Sequence, residues 1–336
     1  MKIAFFSLNL REKEYVKNHG SMAGHELSFF EHALDKDNMP SDASFEATSV
    51  FVGSMIDGEV MKKLPNLKMI ATRSTGYDHI DLKAATKRGV TVTNVPSYGE
   101  NTVAEFAFAL ILSLSRKIFE SYHRIREEGS FRLDGLMGFD LKGKTLGVVG
   151  TGRIGLHVIK MAKGFDMKIV ANDAFPNESL AKELGFAYLP LEELLKTSDI
   201  ISLHVPYSEK THHLINKSNI GLIKKGAFLI NTARGGIVET EALIGALKNG
   251  NLAGAGLDVL EEEGAIKDEL NFLVKGRSEE HNLKTILGNH VLIDMPNVIV
   301  TPHNAFNTSE ALQRILDTTL GNLNSFAEGR TVNAVV

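Results

Sequence analysis

An apolar strand followed by a glycine-rich turn is the feature that most limits how this chain can fold. The run "KTLGVVG" at 144–150 is almost wholly apolar, as a strand buried on both faces of a sheet should be. Gly150, Gly152 and Gly155 then follow the spacing G-x-G-x-x-G, and a helical pattern covers 156–163. A strand, a glycine turn and a helix in this order predict the first βαβ unit of a dinucleotide-binding domain.

Each glycine has its own physical task in such a unit. Gly150 permits the tight turn, Gly152 lets a pyrophosphate approach the backbone, and Gly155 lets the helix pack close to the strand. The amides at the helix N-terminus then face the anion. A glycine-rich turn in a domain without a nucleotide is the alternative interpretation. The residues expected to bind the dinucleotide here are Gly150, Thr151, Gly152, Arg153, Ile154 and Gly155.

The next predicted strand, 167–173, ends in an acidic residue that indicates which dinucleotide binds. Asp173 lies eighteen residues after Gly155. A carboxylate at this place accepts hydrogen bonds from the adenine ribose hydroxyls and repels a 2′-phosphate. We therefore expect NAD rather than NADP as the cofactor.

Apolar runs alternate with helical patterns along most of the chain, which predicts parallel sheets with crossover helices. One series fills the first hundred residues and a second begins at Lys144, so two α/β domains are expected in these 336 residues. A predicted helix in the tail, 308–327, could cross back to the first domain. The predicted strands lie at 2–8, 49–53, 67–73, 89–96, 144–150, 167–173, 199–206, 226–233, 253–259 and 297–303.

Two segments depart from this alternation. Residues 262–296 are charged, hold no strong strand, and predict an inserted loop with one or two short helices. The segment 102–115 contains a strongly apolar run between Glu105 and Arg116, which is far shorter than the roughly 20 residues that span a membrane. This segment predicts a buried helix. Because such a helix is too apolar for a solvent-exposed face, we expect it to form the interface of a homodimer.

Composition narrows the partners and the location. A net charge of −4 provides no basic excess for a nucleic-acid or membrane partner. The chain has no cysteine, which excludes disulfides, thiolate nucleophiles and Cys-ligated zinc, and fits a reducing cytosol. The first residues, "MKIAFFSLNL", are too short an apolar run for a signal-peptide core and are typical of a first strand. We therefore expect a cytoplasmic protein.

Polar residues at the ends of three predicted strands are the candidates for chemistry. Arg234 follows one strand, Asp258 ends the next, and His303 ends the last. Doubly wound sheets bind their ligands at the carboxyl ends of the strands, and the donor fork of arginine suits a carboxylate. Taken singly, each has a plainer interpretation: a surface ion pair for Arg234, a structural role for His303, and a solvated turn for the glutamates of 261–263.

An ordered set of motifs resembles the D-isomer-specific 2-hydroxyacid dehydrogenases over nearly the whole chain. Tyr98 and Phe306 make the D-lactate dehydrogenases the most similar branch of that family. The motifs are "NVPSYGENTVAEF" (94–106), "GVVGTGRIG" (147–155), "HVP" (204–206), "INTARGG" (230–236), "GAGLDVLEEE" (254–263) and "TPHNAF" (301–306).

The resemblance implies a fold and a domain division. It implies two doubly wound parallel-sheet domains of the α/β class. A Rossmann NAD-binding domain, 101–303, would be inserted in a discontinuous, flavodoxin-like substrate domain formed by 1–100 and 304–336. The substrate would bind between the two, and no metal is implied.

The resemblance also implies roles for single residues. Arg234 would bind the substrate carboxylate and polarise its carbonyl, and His303 would be the acid/base. Glu263, five residues after Asp258, would be the partner of His303, while Asp258 would lie on the nicotinamide side. The other implied substrate contacts are Ser74, Thr75, Gly76, Tyr98 and Phe306. The other implied cofactor contacts are His204, Val205, Pro206, Thr232, Ala233, Arg234 and His303. His212 and His213 lack the surrounding acids for a convincing metal site, so none is expected there.

The expected activity is the NAD-dependent interconversion of a 2-oxo acid and its D-2-hydroxy acid, with pyruvate and D-lactate as the expected pair. One alternative is a reductase of glyoxylate, hydroxypyruvate or an aromatic 2-oxo acid on the same scaffold. Another is an NAD-sensing protein that binds a partner, as corepressors of this family do. The acid/base and carboxylate-binding set of Arg234, Glu263 and His303 favours an enzyme.

Overall fold

The computed structural model describes residues 1–264 and 282–336. The chain divides into two compact units, one formed by Met1–Gly99 with Asn307–Val336 and the other by Glu100–Phe306. The predicted domain boundaries differ from these by a few residues. Among the described helices, none is long and apolar enough to cross a membrane, and the cytoplasmic location stays a prediction.

Parallel strands and helices alternate through both units. The strands are β1 (Lys2–Phe6), β2 (Glu26–Phe30), β3 (Ala47–Val50), β4 (Met69–Thr72), β5 (Thr91–Thr93), β6 (Thr145–Val149), β7 (Lys168–Asn172), β8 (Ala187–Tyr188), β9 (Ile200–Leu203), β10 (Ala227–Asn231), β11 (Leu252–Leu257) and β12 (Val298–Val300). The described helices are α1 (Leu10–Asn18), α2 (Gly58–Lys62), α3 (Leu82–Arg88), α4 (Glu100–Ser115), α5 (Ile118–Glu128), α6 (Arg153–Gly164), α7 (Glu178–Leu184), α8 (Leu191–Thr197), α9 (Thr240–Lys248), α10 (Leu283–Asp294) and α11 (Ser309–Ala327). Within the predicted insert, 262–296, helix α10 is described and 265–281 lies outside the described residues.

The first unit is built on a five-stranded parallel sheet with the order β2-β1-β3-β4-β5, which is the flavodoxin-like order. Strand β1 shows why both faces are covered. Its alternate residues Ile3 and Phe5 belong to one hydrophobic cluster, and Ala4 and Phe6 belong to another. Leu320 of α11 lies in the first of these clusters. The tail therefore returns to the sheet that the N-terminal residues form.

Two strands escaped prediction, and both are at sheet edges. Among the described strands, β2, "ELSFF", pairs with β1 alone, and its residues are at most partly buried. Strand β8 has two residues and, in the same set, pairs with β7 alone. An edge strand that is open to water does not need the continuous apolar run by which the buried strands were recognised.

The described residues of the second unit form a seven-stranded parallel sheet with the order β12-β11-β10-β9-β6-β7-β8. The chain builds outward from β6 to β8, then returns and builds in the opposite direction from β9 to β12. This is the Rossmann order extended by one strand, and ligands of such sheets bind beside the reversal point. The predicted fold class, with two parallel-sheet α/β domains, is confirmed.

Helix α4 is buried along one face, as the sequence predicted. Ala104, Ala107, Leu110 and Ile111 are buried in the core of the second unit. A Cβ built on Gly256 of β11 would lie 3.0 Å from the Cβ of Leu110, so helix and sheet are in close contact. Packing inside the protomer thus accounts for much of the apolar composition of 102–115, and a dimer interface at this helix stays a prediction.

Large exposed apolar side chains lie on α5 and in the turn that follows it. On α5 their spacing is that of one helical face, and they are 48–60% exposed; those of the turn are 82–90% exposed. A set of this size is unusual on a monomer. Its members are Ile118, Phe119, Tyr122, Ile125, Phe131, Leu133 and Met137.

Candidate active site

The glycine turn between β6 and α6 has the geometry of a ligand cradle. Gly150 has a φ of +96°, and a Cβ there would lie 2.7 Å from the backbone carbon of His204. A Cβ on Gly155 would lie 2.0 Å from the carbonyl oxygen of Gly150, so the helix and the strand are as close as glycine permits. Gly152 differs, because apart from its chain neighbours no atom of the described residues lies within 4 Å of the place where its Cβ would be. The space beside Gly152 is therefore open to a ligand.

Helix α6 points its N-terminus into this space. Gly152 is the N-cap and so provides no capping side chain. Uncapped amides at a helix N-terminus, with the positive end of the helix dipole, attract an anion such as a pyrophosphate.

Asp173 lies next to the turn, just after β7. Its Oδ2 accepts hydrogen bonds from the amide of Thr151 at 2.6 Å and from the Thr151 hydroxyl at 2.9 Å, and its Oδ1 accepts one from the amide of Phe175 at 2.9 Å. Partial burial opposes ionisation, but these hydrogen bonds outweigh it and lower the pKa of Asp173 below its ordinary value. The carboxylate is thus negative at neutral pH, as the preference for NAD requires.

Two further residues on this edge fit a bound dinucleotide. The hydroxyl of Thr232 is buried and has no hydrogen-bond partner in the part of the chain that the structure describes, so a ligand could satisfy it. His204 lies beside Gly150, and its Nε2 is 2.8 Å from the Ser202 hydroxyl. Burial lowers the pKa of His204 to about 4, so its ring is neutral at physiological pH. An open glycine, an uncapped helix, an ionised Asp and an orphaned hydroxyl together fit NAD.

Strand register places the three candidate strand ends side by side. Asn231 of β10 pairs with Leu257 of β11, which pairs with Val300 of β12. These are the last residues of their strands, so the three strands end at one level. Arg234, Asp258 and His303 follow those ends by three, one and three residues.

Asp258 anchors the turn that carries His303. Its Oδ1 accepts hydrogen bonds from the Thr301 hydroxyl at 2.6 Å and the Asn304 amide at 3.0 Å, and its Oδ2 accepts one from the Ala305 amide at 2.8 Å. The side chain is almost fully buried, and burial raises the pKa of Asp258 although these donors act against the rise. Its expected place on the nicotinamide side stays a prediction.

His303 and Glu263 form a close pair. The Nδ1 of His303 is 2.6 Å from Oε1 of Glu263, although 40 residues separate them. The side chains are 18% and 30% exposed, so each is partly shielded and still accessible. The φ of His303 is +53°, which few non-glycine residues adopt. Strained backbone of this kind persists where the surroundings fix it, and it occurs often at active sites.

Arg234 follows β10 on the same edge. Its guanidinium is partly buried, and Nη1 donates to the carbonyl of Ala233 at 2.8 Å. The side-chain amide of Asn231 donates to the Arg234 carbonyl at 2.9 Å and fixes the backbone there. Phe306, the last residue of this unit, follows the His303 turn and is half-buried.

A second histidine–glutamate pair was not predicted. The Nε2 of His213 is 2.6 Å from Oε1 of Glu261, 48 residues away. His213 therefore has one acidic neighbour in the folded chain that its surroundings in the sequence do not show. No local pattern could have revealed the pair, because His213 and Glu261 lie on separate segments that only the folded sheet brings together.

The remaining expected substrate contacts belong to the first unit. Ser74 donates to the Gly76 carbonyl at 2.6 Å, and Thr75 donates to the Val95 carbonyl at 2.7 Å, so their hydroxyls shape the loop after β4. The carbonyl of Tyr98 accepts a hydrogen bond from Arg314. The roles of these residues toward a substrate stay predictions.

Comparison with known proteins identifies the family. Residues 108–305 match the family model described as "D-isomer specific 2-hydroxyacid dehydrogenase, NAD binding domain". The chain belongs to the D-isomer-specific 2-hydroxyacid dehydrogenases. The glycine turn and Asp173 accordingly lie in the NAD-binding domain of such a dehydrogenase.

Three similar proteins show the range of this dehydrogenase family. The 2-hydroxyacid dehydrogenase A of Aspergillus oryzae is 42% identical, over 98% of this chain and 94% of that protein. The glyoxylate reductase of Korarchaeum cryptofilum is 40% identical, over 82% of this chain and 77% of that protein. The crystal structure of D-lactate dehydrogenase from Aquifex aeolicus, complexed with NAD and lactic acid, has a TM-score of 0.87 and 37% identity, over 97% of this chain and 96% of that one.

The open space at Gly152 leads to a prediction for the dehydrogenase. Gly152→Ala should lose little stability, because its φ of −66° suits alanine and, apart from its chain neighbours, no atom of the described residues lies within 4 Å of the new Cβ. The same substitution should raise the Kd for NADH by about tenfold, because the methyl group takes space that the dinucleotide needs. This corresponds to a loss of about 1.4 kcal/mol in binding free energy. Calorimetric titration and thermal unfolding measure both quantities.

Gly155→Ala is the matched control. Its Cβ would lie 2.0 Å from a carbonyl oxygen, so the melting temperature should fall even without a ligand. A well-folded Gly152→Ala protein that binds NADH with unchanged affinity would contradict the cradle.

Proposed function

We propose that this dehydrogenase reduces pyruvate to D-lactate and catalyses the reverse reaction. The observation that carries the proposal is the His303–Glu263 pair at 2.6 Å, on the same strand-end edge as Arg234. Reduction of a 2-oxo acid requires an acid/base, a carboxylate that orients it, and a cation that binds the substrate carboxylate. His303, Glu263 and Arg234 are residues of these types.

The chemistry divides between the cofactor and this chain. NADH, when bound, supplies the hydride that reduces the carbonyl carbon. His303 supplies the proton that the carbonyl oxygen gains, and it takes that proton back when the hydroxy acid is oxidised. Because Nδ1 is engaged by Glu263, we assign Nε2 as the nitrogen that faces the substrate.

Glu263 and Arg234 prepare this proton transfer. The Glu263 carboxylate fixes the orientation of the imidazole ring through its contact with Nδ1. Arg234 can hold the substrate carboxylate through two parallel hydrogen bonds, which sets the angle of the carbonyl. Such positioning contributes several kcal/mol to catalysis.

Substrate size is the open choice within the family. Tyr98 and Phe306 resemble the pattern of the D-lactate dehydrogenases and favour pyruvate. A glyoxylate, hydroxypyruvate or aromatic 2-oxo acid reductase is the alternative on the same scaffold. An NAD-sensing binding protein would not need the His303–Glu263 pair.

A substrate panel tests the proposal. With NADH as the cofactor, we expect pyruvate to give a higher kcat/KM than glyoxylate, hydroxypyruvate or phenylpyruvate. In the reverse direction, D-lactate should be oxidised and L-lactate should not. A higher kcat/KM for another 2-oxo acid would mean that pyruvate is not the preferred substrate. If none of the 2-oxo acids were reduced, the result would favour the NAD-sensing binding protein.

The pair also predicts what Glu263 contributes to the rate. Glu263→Gln keeps the size of the side chain but removes the carboxylate that fixes the imidazole ring of His303. Because a misplaced acid/base loses much of its effect, kcat should fall by about tenfold or more in both directions. The Kd for NADH should change by less than about twofold. Steady-state rates and fluorescence titration measure these two quantities.

Glu241→Gln is the control, because Glu241 forms surface ion pairs with Lys217 and Lys284. Its kcat should match that of the unchanged enzyme. An unchanged kcat for Glu263→Gln would mean that Glu263 is not the partner of His303.

We further propose that the enzyme is a homodimer, joined through the exposed face of α5 and the turn at 131–137. Self-association of identical surfaces is the commonest way to cover such a face. Phe131→Glu should place a charge in the contact and give a species of protomer mass, 36.8 kDa, in sedimentation velocity. Phe175→Glu, equally exposed but outside this face, should leave the dimer intact. An unchanged mass for Phe131→Glu would place the contact elsewhere.

A further inference from the structure

Three consecutive glutamates, Glu261 to Glu263, take different directions in the second unit. Glu263 reaches His303, whereas Glu261 reaches His213. Glu262 between them has a φ of +53°, in the left-handed region that non-glycine residues seldom adopt. A backbone held in this conformation needs contacts that enforce it, and Glu261 provides them.

The carboxylate of Glu261 is fully engaged. Its side chain is 14% exposed. Oε1 lies 2.6 Å from Nε2 of His213, and Oε2 accepts hydrogen bonds from the amide and the hydroxyl of Thr240 at 2.8 and 2.6 Å. Thr240 is the first residue of α9, so the carboxylate also lies at the positive end of that helix.

The backbone of the same turn is held from two more sides. The side-chain amide of Asn289, a buried residue of α10, donates to the Glu261 carbonyl at 2.6 Å. A Cβ on Gly235 would lie 2.0 Å from the backbone carbon of Leu260. Gly235 directly follows Arg234, so the turn with Glu263 rests against the segment that carries the carboxylate-binding arginine.

We propose that Glu261 is a positioning residue for the reaction: it holds the turn at which Glu263 meets His303. The inference rests on the proposed acid/base role of Glu263. In the described part of the chain Glu261 makes no hydrogen bond or ion pair with His303, so it acts through the turn. A displacement of about 1 Å at a reacting group can cost on the order of a hundredfold in rate, so a loosened turn should be measurable.

A double-mutant cycle separates positioning from general stability. Glu261→Gln keeps the size of the side chain but cannot accept from both His213 and Thr240 as the carboxylate does. It should lower kcat for the preferred 2-oxo acid by about tenfold. In a Glu263→Gln background the same change should lower kcat by less than about twofold, because the group that it positions is already disabled.

Two measurements accompany the cycle. The Kd for NADH, from fluorescence titration, should change by less than about twofold in each variant, because the glycine turn and Asp173 are far in sequence from Glu261 and its partners.

Glu241→Ala is the matched control. Glu241 lines the same cavity of about 370 Å³ as Glu261, but among the described residues its ion pairs are with Lys217 and Lys284, outside the turn. It should keep the kcat of the unchanged enzyme.

Each outcome decides the question. An equal loss of kcat in both backgrounds, or a raised Kd for NADH, would overturn the positioning role and leave the proposed function intact. If Glu263→Gln alone leaves kcat unchanged, the proposed acid/base pair fails, and the positioning role fails with it. Should Glu261→Gln not fold, His213→Asn removes one contact of the same carboxylate and takes its place in the cycle.

Discussion

The parallel register of β10, β11 and β12 is the constraint on which the site depends. Because these strands end at one level, the residues that directly follow them lie at the same edge of the sheet. No long loop is needed to bring them there. Asp258 follows the middle strand, β11. It accepts three hydrogen bonds from the turn that follows the adjacent strand β12. The central strand end thus determines where the histidine of the outer strand lies, and burial of Asp258 makes that link insensitive to solvent.

Local chemistry explains what could be predicted. The dinucleotide turn was recognisable because its three glycines meet demands for space that arise close by in the sequence. A Cβ on Gly150 or Gly155 would indeed collide with backbone atoms. Strand ends were recognisable because buried parallel strands are continuous apolar runs, so Arg234, Asp258 and His303 stood out as the polar residues that follow them. The assignment of roles to Glu263 and His303 needed the family resemblance as well.

What escaped prediction depends on tertiary neighbours. The apolar run of α4 was visible, but the sequence does not say which of its faces packs on the sheet of its own chain, and close packing of Leu110 against Gly256 shows one such face. The pair of His213 and Glu261 joins segments 48 residues apart. Strand β2 is only partly buried, so it lacks the apolar signal of the central strands. In each case the missing information was which residues from distant parts of the chain lie next to the segment in the folded protein.

The return of α11 to the first sheet has a consequence for synthesis of the chain on the ribosome. Residues of the second unit are continuous, from Glu100 to Phe306, so this unit needs no residue after Phe306 to be complete. The first unit includes Asn307–Val336, and its edge strand β5 binds the last residues, with Val92 donating to the Val336 carbonyl at 2.9 Å. Part of its hydrophobic cluster, including Leu320, also comes from this tail. The unit whose residues leave the ribosome first therefore stays incomplete until the very end of synthesis, after the whole inserted unit has been made.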